Sequence, residues 1–529
     1  MIKKILGKLD KDKFKIVLAI LVLLQPVISL DYLVYDFLNQ FNLPRIATII
    51  HFIIIPLFIL IGFLVFDHNK KRAFVLSTIY GVIVLAYFFA HTQNALLIRN
   101  DLYLPPNFQF STYKELVYVL TLIIPFYLIY LFFIADFSEK LIKTVISWLS
   151  ITISFPIVLG NLFLFGMSTY DGYTSANIFT WFFGIYDDFD PRKLASKFFF
   201  QNGNTIGIVL FIILPLLYYF LSRSETKKDK IIHLTIIFVQ SIAMVMLSTR
   251  IATYGALLTP IAIVVIMIFF KFIIRNETFN KVTVIFTCLM AVLIGTLIPF
   301  SPAYINMQVD RSNNAIVGED NYILDGGRDE VNEQLNQPKA KYDPAYVYAF
   351  EQYGIKSNLI SSVPKIYYLD WYKYTYDAKF WLDLMFNYPL EERVNGRQIQ
   401  TIFIKYKWSE TPTPSVDHAL GLGYSTIMTG SLILESDFVQ QFYSFGYAGW
   451  VILMSPWLIL VAYGVFIFLM NLKKNLNFNT VIYAMSALFG LVGAYASGHT
   501  LDEFVSNIII AFVIAILLKK LNNNEVESN

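Results

Sequence analysis

Apolar residues run in long uninterrupted stretches separated by short polar breaks, and the stretches are of similar size. A lipid-crossing helix needs about 20 mostly apolar residues, each rising about 1.5 Å through a hydrocarbon core about 30 Å thick. Twelve stretches approach that length: 16–35, 46–66, 73–92, 116–135, 144–167, 204–222, 231–249, 252–270, 282–300, 448–470, 480–497 and 504–518. The pattern predicts an all-α polytopic integral membrane protein of about twelve transmembrane helices, with a large extracytoplasmic loop between the ninth and tenth. Four regions follow: helices one to nine in 1–300, the loop in 301–447, helices ten to twelve in 448–518 and a polar cytoplasmic tail in 519–529.

Composition agrees. Of 529 residues 56% are apolar and 15% charged, with 48 Phe, 34 Tyr and 7 Trp, and the mean hydropathy is +0.57. A soluble domain could not bury that much apolar surface. The net charge of +3 makes no case for nucleic acid, and where the charges lie matters more than their sum. Lys and Arg favour the cytoplasmic side of short loops. With the N-terminus inside, 22 of the 41 basic residues fall in inner loops and tails, and both termini are cytoplasmic. The basic start, Met1 to Lys15, precedes a stretch without a small-residue cleavage signal and reads as an anchor, not a removed signal peptide. The lone cysteine, Cys288, excludes an intramolecular disulfide. Outer segments are long (93–115, 168–203 and 301–447), and the last carries 18 Asp/Glu against 12 Lys/Arg in 147 residues. The absence of a Walker loop, a Rossmann fingerprint and Cys/His metal spacing argues against cytoplasmic nucleotide chemistry. Any chemistry is expected to face outward.

Three constellations stand out. Ser248-Thr249-Arg250 puts a permanently charged guanidinium at the outer end of the seventh span, either as an interfacial arginine reaching lipid phosphates or as an anion site. Phe198–Asn204 leads into the sixth span, where Asn202 or Asn204 can cap a helix N-terminus that also favours an anion. Upstream, Asp188-x-Asp190 has a spacing that could hold a divalent cation or simply belong to a solvated acidic loop. The third constellation ends the large loop: Asn395-Gly396-Arg397, Gly421-Leu422-Gly423-Tyr424, Glu435-Ser436-Asp437 and Phe445–Gly449. A helix over 390–406 would put Arg393 and Arg397 on one face, as two forks for one anion or as plain surface. Over 433–445 a helix gathers Phe438, Phe442 and Phe445 in a stripe opposite Gln440, Gln441 and Ser444. Glu435 falls at the stripe's edge, where apolar surroundings raise a carboxylate's pKa towards that of a useful general base, while Asp437 falls with the polar face. A bland alternative is acids favoured by the helix dipole. His418, beside Asp417, is a further candidate base. His51, His91, His233 and His499, in or at span ends, read as packing or interfacial residues. Asp31 and Asn161 are candidate cavity linings.

In order and spacing these motifs resemble the O-antigen ligase and polysaccharide polymerase superfamily of bacterial envelopes, over about residues 195–455 together with the topology. The resemblance implies transfer of a glycan from an undecaprenyl-diphosphate-linked oligosaccharide donor to a glycan or lipid-glycan acceptor hydroxyl, outside the cytoplasmic membrane. It implies no metal, no nucleotide and no other cofactor. It also implies that Arg250 and Arg397, with Arg393 beside them, grip the diphosphate. One departure matters: His418 is followed by Ala419 where family ligases carry Asn, Ser or Gln. Glu435 therefore ranks first as base, before Asp437 and His418. The rival readings are a twelve-span transporter or flippase of lipid-linked sugars and a metal-dependent glycosyltransferase using Asp188-x-Asp190.

Overall fold

The computed structural model describes residues 10–30, 35–41, 45–66, 70–102, 104–163, 182, 197–200, 202–308, 343–355, 363, 365–393, 396–427, 434 and 436–526. Glu435, Asp188, Asp190, Asn395 and Asp31 lie outside them. Regular structure among the described residues is helical. Among the described residues eleven helices are long and apolar enough to cross a membrane, in the positions expected for the second to twelfth spans. The first expected span, 16–35, is the 18-residue helix Lys11–Ile28, whose first two turns hold Lys11, Asp12, Lys13 and Lys15. Those charges leave it short of an apolar stretch of membrane length. This is a multi-pass integral membrane protein.

Two compact units divide the chain: residues 1–80, 120–306 and 454–529 form the first, and 81–119 with 307–453 the second. The first unit is built around the helix Gly203–Ser222, buried along almost its whole length. Hydrophobicity alone cannot pull helices together in lipid, so close approach at small residues does so. Added methyls at Gly493 or Gly490 on the helix Phe478–Ala496 would press on Ile208 or on Ile510 and Ile212. Phe211 stacks on Phe489 at 3.9 Å. His51 stacks on Phe504 at 4.4 Å and meets Gln25 Oε1 at 3.0 Å, a packing role. Asn161 is buried and donates to the Ile157 carbonyl.

The second unit has a ring-rich core holding Phe108, Tyr346, Phe350, Trp371, Tyr372, Phe380, Trp381 and Phe403. Trp371, Tyr372 and Phe380 lie 4.7–5.6 Å from Phe403, centroid to centroid. Each such ring buries a large apolar area, enough to order this unit without a disulfide. Polar ties orient the rings: Trp381 Nε1 donates to the Tyr372 carbonyl at 2.8 Å, and Asn107 Nδ2 to that of Trp371 at 2.8 Å.

In the middle of this core sits a charged group. Lys407 and Asp377, both buried, pair at 3.2 Å. Glu410 lies 3.0 Å from the same ammonium, which also stands over the Tyr406 and Tyr372 rings at 4.7 and 4.9 Å. The phenols of Tyr372 and Tyr406 donate to Asp377. Burial, then the Asp377 charge, push both phenols well above their ordinary pKa, so they remain donors.

Candidate functional site

Two places gather the residues singled out from the sequence, one in each unit. In the first unit Asn202 caps the helix Gly203–Ser222, its Oδ1 accepting from the N–H groups of Asn204 at 2.9 Å and Thr205 at 3.4 Å. Asn202 thereby fills the capping role available to either asparagine, and Asn204 supplies one of the donors. Thr249 caps the helix Arg250–Ile268 through Ala252 N–H. The two helix starts are neighbours: a methyl on Gly207 would lie 2.7 Å from Thr249 Oγ1. Arg250 opens its helix and is exposed.

Sequence reasoning missed the loop around His499 that meets the first of these starts. Thr205 Oγ1 donates to the His499 carbonyl at 3.3 Å. His499 Nδ1 pairs with Asp502 Oδ2 at 3.1 Å. Ser248 (φ 66°) and His499 (φ 54°) both hold a left-handed backbone without being glycine, a strained state that gathers at functional sites. An i,i+3 His/Asp spacing at a span end was the available signal.

In the second unit the glycine motifs that carry the family likeness interlock. Gly421 N–H bonds to the Asp417 carbonyl, Leu422 N–H to that of Tyr443 and Gly423 N–H to that of Ser444. The helix Asp437–Met470 breaks at Gly446, where φ is 67° and ψ −175°. Gly421 holds φ 88° and ψ 166°. That corner of backbone space is essentially open to glycine alone. A methyl on Gly421 would strike the backbone of Ser444–Gly446, and one on Gly446 the backbone of His418–Gly421. Two strands of irregular backbone therefore cross with no side chain between them.

Two spans hold this crossing in place through residues the sequence reading had assigned to packing or passed over. His91 Nδ1 donates to the Leu420 carbonyl at 2.7 Å, since a carbonyl can only accept. Its Nε2 meets Glu115 Oε2 at 3.1 Å. Glu115 Oε1 takes the Ser425 N–H at 2.5 Å and the Ser425 hydroxyl at 2.8 Å. Both ionisable side chains are fully buried. Such residues inside membrane segments are costly and mark function by default.

The remaining candidates fall as follows. Within the helix expected over 390–406 the described residues form Leu390–Arg393 and Gly396–Ser409, and 394 and 395 lie outside the described residues. Arg393 is buried and donates from Nη1 to the Met385 carbonyl at 2.6 Å, whereas Arg397 is exposed in the first turn of its helix. His418 stacks on Trp408 at 4.2 Å, and its Nε2 donates to the Trp408 carbonyl at 2.9 Å. Asp417 instead accepts from Thr413 N–H at 2.7 Å. Asp437 is buried at the start of its helix. Among the described residues no group of three His, Cys, Asp or Glu could hold a metal ion.

The family model for O-antigen ligase like membrane proteins matches residues 11–524. Comparison with curated proteins found no match, and neither did comparison with solved structures. The family match takes in both helix starts of the first unit and the interlocked glycines of the second: the chain belongs to the O-antigen ligase-like membrane protein family.

Proposed function

We propose that this protein transfers a glycan from an undecaprenyl-diphosphate carrier to an acceptor hydroxyl at the outer face of the bacterial cytoplasmic membrane, as a polysaccharide polymerase or ligase. The family match across residues 11–524 carries this reading, since the family implies glycan ligation or polymerisation at a membrane. The placement of Arg250 and Arg397 supports it. Each stands exposed in the first turn of a helix, where a cation opposes the dipole by about 0.3–1 kcal/mol. A cation in that position is unfavourable for the helix alone and gains from a nearby anion.

The reaction is an inverting displacement. The acceptor oxygen attacks the anomeric carbon as the bond to the diphosphate oxygen breaks, and a carboxylate takes the acceptor's proton. The departing diphosphate gains charge, and the two guanidinium groups stabilise that charge. Glu435 and Asp437 are the bases of choice. The Nε2 of His418 is already committed to Trp408, which supports placing His418 behind them. No metal ion enters these steps. Lys11–Ile28 crosses the membrane as well, with its early charges at the interface, which makes twelve spans and puts both termini in the cytoplasm.

Reconstitution of the full chain with an undecaprenyl-diphosphate oligosaccharide and candidate acceptors tests the reading. The expected result is release of undecaprenyl diphosphate with a glycosylated acceptor, undiminished by EDTA. A ladder of products identifies a polymerase, and one transferred block a ligase. Movement of intact lipid-linked glycan across the bilayer without release would instead identify a transporter, and loss of activity under EDTA a metal-dependent enzyme.

A further inference from the structure

The rings of the second unit's core are buried, but one aromatic group lies at its surface. Trp408 stacks on His418 at 4.2 Å with planes 6° apart, and Phe442, Tyr443 and Tyr447 lie 5.1–6.0 Å from the same indole. Tyr447 is 52% exposed and the other four are partly exposed. Three of these apolar bodies end in a polar tip: Nε1 of Trp408 and the hydroxyls of Tyr443 and Tyr447. Among the described residues none of the three tips has a hydrogen-bond partner, and none is enclosed by protein. By contrast, buried Trp381 donates to the Tyr372 carbonyl, and buried Tyr372 to Asp377.

Rings with an apolar body and a wet polar tip collect where a membrane meets water. This patch runs into a lipid-facing surface. Tyr447 lies on the helix Asp437–Met470, long and apolar enough to cross the membrane, and Val451, one turn further on and on the same face, is 58% exposed. We infer that Trp408, His418, Phe442, Tyr443 and Tyr447 anchor the second unit in the phospholipid headgroup layer. The rings lie among the upper chain carbons there, and the N–H and O–H tips reach ester and phosphate oxygens. A sugar fits less well. It would pack on an open aromatic face, whereas His418 covers one face of Trp408, and Tyr443 and Tyr447 meet the indole edge-on at 86° and 84°. The anchor does not depend on the glycan-transfer reading, but it serves it. The helix Gly396–Ser409 carries Trp408 near one end and Arg397 at the other, about 16 Å apart along the axis at 1.5 Å per residue. An indole fixed in the headgroup layer keeps that guanidinium within reach of the level where a carrier's diphosphate emerges.

The test needs no turnover. The full chain, labelled with 5-fluorotryptophan and held in phospholipid nanodiscs, carries one fluorine at each of its 7 tryptophans. Trp408→Phe assigns the Trp408 resonance by its disappearance, and Trp408→Tyr does so if the first variant folds poorly. Trp148, 50% exposed on the helix Glu139–Leu162, is assigned in the same way through Trp148→Phe and serves as the lipid-facing reference. A phospholipid with a nitroxide at the top of its chain is expected to cut both signals several-fold, and ascorbate, which reduces the nitroxide, to restore them. The anchor is overturned if Trp408 keeps its intensity while Trp148 loses it. In that case broadening of Trp408 by a soluble gadolinium chelate, with a shift on adding glycan freed from the carrier, identifies a sugar platform instead. Insensitivity to both identifies a face covered by the rest of the chain.

Discussion

Gly446→Ala and Gly421→Ala are each expected to abolish transfer and sharply lower the yield of folded protein. Both glycines occupy backbone conformations that other residues reach only at a cost of about 1–3 kcal/mol. The added methyl would also strike the opposing backbone, and overpacking of this kind costs about 1–3 kcal/mol more. A flexible side chain could swing aside; main chain held by the Leu422–Tyr443 and Gly423–Ser444 hydrogen bonds cannot. Gly81→Ala is the matching control. Nothing lies within 4 Å of its methyl position, and alanine is the better helix former by about 1 kcal/mol. Monodispersity in detergent and thermal melting of the three variants check the prediction. A Gly446→Ala protein that melts like Gly81→Ala would remove the interlock from the account.

Lys407→Met should destabilise the second unit by about 3–5 kcal/mol, the usual cost of removing one partner from a buried ion pair. The change leaves the Asp377 carboxylate buried, with two phenols and the Phe380 N–H to balance it among the described residues. Adding Asp377→Asn should recover most of the loss, because the stranded charge disappears while a carbonyl remains to cap the helix Ala378–Asn387. Trp371, Trp381 and Trp408 sit in or against this core, so tryptophan fluorescence of the full chain reports its melting. If single and double variants melt alike, the charge is not what the lysine compensates.

Much of the fold could be read from the sequence because membrane helices announce themselves locally. A run of apolar residues needs no partner elsewhere in the chain to be recognised, and eleven of the twelve expected spans appear where the runs lie. The exception is instructive: Lys11–Ile28 mixes its apolar length with four early charges. The helix beginning at Asp437 and the capping role of Asn202 were legible for the same reason, being set by residues a few positions apart. What escaped depends on long-range partners. His91 meets Glu115 24 residues away and Leu420 at a separation of 329, and neither periodicity nor spacing encodes such pairs. The burial of the polar face of Gln440, Gln441 and Ser444 was hidden likewise, because a helical wheel divides faces without saying which one turns inward.

The grip of the two arginines on a leaving diphosphate is the claim on which the account turns. It is tested most directly by the rate of undecaprenyl diphosphate release from a lipid-linked oligosaccharide by reconstituted wild type, Arg250→Ala and Arg397→Ala proteins of equal melting temperature. Losing a charge-stabilising donor from a transition state costs about 2.7–4 kcal/mol, so each variant should release the carrier about 10²–10³-fold more slowly. Release at the wild-type rate by either variant would contradict the account.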